Sequence, residues 1–204
     1  MRRMKAEGRK QKVETIPQAL LQQVVRGRAA VDVLLVVGAS VLIAISAQIA
    51  IPLPFTPVPL TMQPLAVLFV GVALGASRGA AAATLYLLEG IGGLPVFAQG
   101  HGGVIWLIGP TAGYLYSYPA AAWLAGWFSQ RGWGSTVLRA VAGMLAALAL
   151  IYAGGWSWLA ALTSPRAAFI AGVQPFILAD VIKIALGAAL LPYAQRLVAK
   201  TTLS

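Results

Sequence analysis

Six stretches of this chain are apolar for long enough, or nearly long enough, to cross a lipid bilayer: residues 30–51, 58–76, 78–92, 110–129, 136–155 and 168–198. A helix needs about 20 mostly apolar residues to span the hydrocarbon layer. Composition agrees, with 59% hydrophobic and 10% charged residues and a mean hydropathy of +0.82, where a soluble domain carries about 25% charged residues. The expected fold is an all-α integral membrane protein, a six-transmembrane-helix bundle. The third run is short and ends at Gly90, Gly92 and Gly93, and the last is long, with Pro175 in its first part.

Charge orients the bundle. Eight of the fifteen Lys and Arg precede residue 29: Arg2, Arg3, Lys5, Arg9, Lys10, Lys12, Arg26 and Arg28. With the N-terminus in the cytoplasm, Arg78, Arg131, Arg139, Arg196 and Lys200 also fall inside and only Arg166 falls outside, the asymmetry that sets membrane topology. Six spans place the C-terminus in the cytoplasm as well. Residues 1–29 read as a basic arm beside anionic lipid, and 30–204 as a six-helix membrane domain. Within the arm, Thr15 and Gln18 fit a capping box, and Ile16, Leu20 and Val24 mark one face of a short interfacial helix over Glu14–Arg28. No aromatic residue interleaves with the arm's charges, which argues against nucleic acid as a partner. The apolar run 31–51 is too long for a signal-peptide core and reads as the first span.

Asp180 and Lys183 lie inside the last run, three residues apart and so on one helix face. Ionisable groups at membrane depth usually face a bundle interior, a cavity or a ligand. A buried structural ion pair is the alternative, and such pairs add little stability because desolvation offsets their attraction.

Two connections expected on the outer side are unusual. Residues 90–109 contain seven glycines, yet carry Val96, Phe97, Val104, Ile105, Trp106 and Leu107. A flexible linker lacks large apolar groups, so this loop is expected to fold back over the helix ends. It forms either a ligand cover or a plug without a ligand. The other connection, 52–59, holds four prolines and reads as a stiff lid edge. Gln63 follows at apolar depth and needs hydrogen-bond partners. Tyr86 and Glu89, three apart near the end of the third run, suit either a pocket wall or a cap for loop amides. These features converge on a pocket reached from outside.

Other chemistries lack their residues. There is no cysteine and a single histidine, His101, so no thiol chemistry or clustered His metal site is expected. No phosphate-binding loop and no hydrolase motif occurs, so ATP hydrolysis would need separate subunits. An intramembrane enzyme using Asp180 and Lys183 as acid and base is a second reading, without a visible nucleophile or electrophile-stabilising set to support it.

Phe55-Thr-Pro-Val-Pro-Leu-Thr-Met-Gln63, Gly93-Leu-Pro-Val-Phe-Ala98, Gly102-Gly103 and Leu107-Ile-Gly-Pro-Thr-Ala-Gly-Tyr-Leu115, with Asp180 and Lys183, resemble the BioY family from about residue 31 to 198. These are biotin-specific substrate-binding components of energy-coupling factor (ECF) transporters. The resemblance implies a loop-covered biotin site near the outer surface that includes Asp180, Lys183, Gly102 and His101. It implies no cofactor beyond biotin as cargo, and it implies a transmembrane coupling subunit and two ATPase subunits as partners. The implied location is a bacterial or archaeal cytoplasmic membrane. Gln99 and Ala112 stand where family members often carry glycine. A carboxylate such as Asp180 can accept biotin's ureido hydrogens, and Lys183 can donate to a carbonyl or carboxylate. Phe55, Phe97, Trp106 and Tyr114 are candidates to cover its rings and tail. Another vitamin, such as thiamine or riboflavin, is the alternative ligand. Ser40 and Ala44 form a small-xxx-small pair that could meet a partner helix or serve internal packing.

Overall fold

Helices in this chain stop where glycine or proline turns the backbone. The computed structural model describes residues 18–133 and 136–203, with side-chain surroundings over 29–133 and 136–190. Among the described residues there are seven α-helices: α1 (Gln18–Gln48), α2 (Gln63–Leu74), α3 (Ala76–Ile91), α4 (Ala112–Gln130), α5 (Val137–Leu162), α6 (Pro165–Gly172) and α7 (Ile177–Leu203). Gly75, at φ +84, separates α2 from α3. Pro64 and Pro165 sit in the first turns of α2 and α6, where a missing N–H costs nothing.

The architecture is all-α and apolar, as a membrane protein requires, but its rods differ from the six runs. Two helices are long and apolar enough to cross a bilayer, Ala29–Gln48 of α1 and Val137–Leu162; a third candidate is the α6–α7 pair, bent by 45°. The second run does not start its helix until Gln63, because the prolines between 52 and 59 hold that segment extended. A two-residue antiparallel pairing of β1 (Ala50–Ile51) with β2 (Leu60–Thr61) closes it into a hairpin. The last run breaks between Gly172 and Ile177, since Pro175 lacks an amide donor and disfavours helix at Gln174. Residues 18–28 form the start of α1, not a separate interfacial helix. The basic arm before Gln18 and the Thr15 half of the capping pair lie outside the described residues.

Helix α4 is the hub, packed on α2, α3 and α5. It approaches α2 closely at Gly71, where an added Cβ would overlap the Ala122 carbonyl oxygen. The Ser40–Ala44 pair faces inward: Ser40 is fully buried and donates to Glu89 on α3 at 2.6 Å.

Candidate functional site

The break between α6 and α7 leaves Asp180 in the first turn of α7, where the helix dipole favours a carboxylate. Asp180 is only 4% exposed. Its two oxygens are held from different elements. Lys183 Nζ donates to Oδ1 at 2.7 Å and the Tyr152 hydroxyl donates to Oδ2 at 2.7 Å. Lys183 also donates to the Thr61 carbonyl oxygen at 2.8 Å, tying α7 to the hairpin. Each carboxylate oxygen can accept a further bond.

Asp180 and Tyr152 form one wall of a cavity of about 170 Å³. Pro57, Val58 and Pro59 of the hairpin form another wall, and the glycine-rich connection supplies a third with Phe97, Gln99, His101 and Trp106. The connection behaves in part as its composition predicts. Phe97 and Leu107 are buried, while Val104 and Ile105 point outward at 60% and 65% exposure. Phe97 lies across Gly90 of α3, where a Cβ would enter the ring, and meets the edge of Tyr86 at 5.6 Å. His101 pairs with Phe97 through the backbone at 2.8 Å and stacks on Trp106 with centroids 4.0 Å apart. Its Nδ1 lies 2.8 Å from the Ala98 carbonyl oxygen. A carbonyl can only accept, so Nδ1 carries the proton and Nε2 is left for other partners.

Tyr114 completes the enclosure from α4. Its ring occupies the space that a side chain at Gly155 would fill, and its hydroxyl donates to the Gly172 carbonyl at 2.7 Å. On the opposite side, Thr56 fastens the proline hairpin to α6 by donating to the Ala171 carbonyl at 2.7 Å.

Of the sequence candidates, Asp180, His101, Tyr114, Phe97, Trp106 and Gln63 line the cavity. The other five stand elsewhere. Lys183 sits behind Asp180, bonded to it and to the hairpin. Phe55 is 66% exposed on the outside of the hairpin. Tyr86 is buried one layer back, its hydroxyl accepting from Gln63 Nε2. Glu89 accepts a hydrogen bond from the Ser40 hydroxyl, and its backbone carbonyl accepts from the Leu94 amide. Gly102 packs so closely on the Leu94 carbonyl that a side chain there would overlap it.

Among the cavity residues that the sequence candidates do not include are Tyr118, Tyr152 and Thr111. Tyr118 is 3% exposed and has no hydrogen-bond partner among the described residues, so its hydroxyl opens only into the cavity. Its spacing of four from Tyr114 on one helix was the available signal. The arrangement offers a fixed carboxylate, a free hydroxyl and an amide at Gln63 around apolar walls. It can hold a compact, largely apolar ligand that donates hydrogen bonds at one end.

The fold and this enclosed polar wall define a membrane protein that binds a small ligand. The sequence matches the BioY family over residues 15–200. It is 38% identical to "Probable biotin transporter BioY" of Pyrococcus horikoshii, covering 71% of this chain and 83% of that one. It is 37% identical to "Biotin transporter BioY" of Rhizobium etli, covering 78% and 89%, and 36% identical to "Biotin transporter BioY" of Thermotoga maritima, covering 72% and 85%. A solved crystal structure, the S-component for biotin from an ECF-type ABC transporter, shares the fold with a TM-score of 0.71 at 22% identity, covering 90% of this chain and 94% of that one. The chain belongs to the BioY family.

Proposed function

We propose that this protein takes up biotin: it binds the vitamin from outside the cell and carries it across the cytoplasmic membrane as the substrate-binding component of an ECF-type transporter. It is a carrier and not an enzyme. The observation that carries this reading is Asp180, a buried carboxylate in the first turn of α7 that accepts from Lys183 and Tyr152 and lines the cavity. Burying such a charge is costly, and a ligand with two N–H donors on a rigid ring repays it. Biotin's ureido group has that form. The ring system would lie between Phe97, Trp106 and Tyr114, with Tyr118 completing the polar contacts.

In this reading the α6–α7 pair counts as one bent span, so six crossings place both termini in the cytoplasm, as the distribution of Lys and Arg supports. The cavity then opens outward beneath the hairpin and the glycine-rich connection. The bundle holds no nucleotide-binding motif, so the energy comes from a coupling subunit and two ATPase subunits. Titrating the purified protein with biotin, thiamine and riboflavin tests the assignment. A saturable response to biotin alone is expected, and a stronger response to either other vitamin rejects it.

A further inference from the structure

Gln48, the last residue of α1, touches no part of the cavity, yet its amide holds the segment that covers it. The side-chain Oε1 accepts from the Gly100 amide at 2.9 Å. Its Nε2 lies 3.2 Å from the Phe97 carbonyl oxygen, with those of Val96 and Pro95 farther off at 3.4 and 3.5 Å, and 3.2 Å from Ala44 on its own helix. One side chain thus satisfies donors and acceptors on both sides of a reversal spanning residues 95–100.

That reversal resists closing unaided. Gln99 adopts φ 62 and ψ 28 and Gly100 follows at φ 73, two successive left-handed residues, the first of which carries a side chain. Backbone held in such a region persists only where its surroundings over-determine it, and it collects at ligand clamps. Here the surroundings are the Phe97–His101 pairing at 2.8 Å and the Gln48 bond to Gly100. The residues so fixed, Phe97, Gln99 and His101, all line the cavity.

We infer that Gln48 is a positioning residue that keeps the 95–100 cover closed over the bound ligand and sets how long the ligand stays. The proposal rests on the biotin reading for the identity of the ligand, but the clamp itself does not. An amide can donate and accept at once, and that dual capacity is what the position requires.

The full chain carrying Gln48→Leu, which keeps size and removes both capacities, is compared with wild type and with Gln48→Glu, which keeps an acceptor for Gly100. Two quantities are measured: backbone hydrogen exchange across 95–103 without ligand, and the association and dissociation rates of labelled biotin. Gln48→Leu is expected to raise exchange at Gly100 roughly tenfold, the scale of one lost hydrogen bond, with exchange in α4 and α5 unchanged. Biotin dissociation should quicken by a similar factor while association changes little, and Gln48→Glu should fall between. Unchanged exchange in both variants overturns the clamp. So does faster exchange with wild-type dissociation. If wild type binds no biotin, the biotin reading fails, and the exchange comparison alone decides whether Gln48 holds the cover.

Discussion

Lys183 reaches back one turn to Asp180 at 2.7 Å and, with the same ammonium, holds the Thr61 carbonyl at 2.8 Å. The two charged residues therefore have different positions relative to the ligand: Asp180 faces the cavity and Lys183 stands behind it. Asp180→Asn should weaken biotin binding by more than about 1.5 kcal/mol, the scale of a charged hydrogen bond. Lys183→Met leaves a buried carboxylate without its counter-charge and should lower thermal stability by about 3–5 kcal/mol, with much of that loss recovered in the Asp180→Asn/Lys183→Met double variant. Thermal unfolding with and without biotin measures both. Wild-type affinity in Asp180→Asn would make the pair purely structural.

Tyr118 separates binding from stability more cleanly, because its hydroxyl has no partner among the described residues. Tyr118→Phe should weaken biotin binding by about 0.5–1.5 kcal/mol, an uncharged hydrogen bond, and leave the melting temperature of the ligand-free protein unchanged. Isothermal titration and a melting curve on the same sample check this. A fall in melting temperature without loss of affinity would mean that the hydroxyl serves the fold.

How far the sequence reveals the fold and site follows from the range of each signal. Asp180 and Lys183 are conspicuous because charge inside an apolar run is rare whatever the tertiary structure. The glycine-rich connection was legible as a cover because its large apolar side chains need burial. The last run carries Pro175 in its first part, and there the helix breaks between Gly172 and Ile177; proline is tolerated inside membrane spans, so its local context does not decide whether a helix bends or stops. Phe55 and Phe97 both read as aromatic covers, yet one points outward and the other lies over Gly90; that choice depends on a hairpin pairing around Phe55 and on a missing Cβ on the helix before Phe97. Tyr118 offers only its spacing of four from Tyr114, and Tyr152 and Gln48 carry no local mark, because what distinguishes them is the partner each meets across the bundle.

Gln99 offers a test confined to the backbone. At φ 62 a residue branched at Cβ fits poorly, so Gln99→Val should lower stability by about 1–2 kcal/mol. Gln99→Gly removes the strain but adds about 0.5–1 kcal/mol of unfolded-chain entropy, so its melting temperature should stay close to wild type. A larger loss for glycine than for valine would show that the amide side chain, and not the turn, holds the segment in place.

Gly155 on α5 is the floor on which the Tyr114 ring rests, and an added Cβ there would enter the ring. Gly155→Ala should therefore force the ring aside, at a cost of about 1–3 kcal/mol for overpacking. The shift would also strain the Tyr114 bond to the Gly172 carbonyl, the contact that ties α4 to the end of α6 just ahead of Asp180. Both melting temperature and biotin affinity should fall. The control is the same substitution in a Tyr114→Ala background, where the space is already open and the alanine should cost little, so the two changes couple strongly in a double-mutant cycle. Additive effects would mean that Gly155 matters for a helix contact unrelated to Tyr114, and the ring would then owe its place in the cavity wall to the Gly172 bond alone.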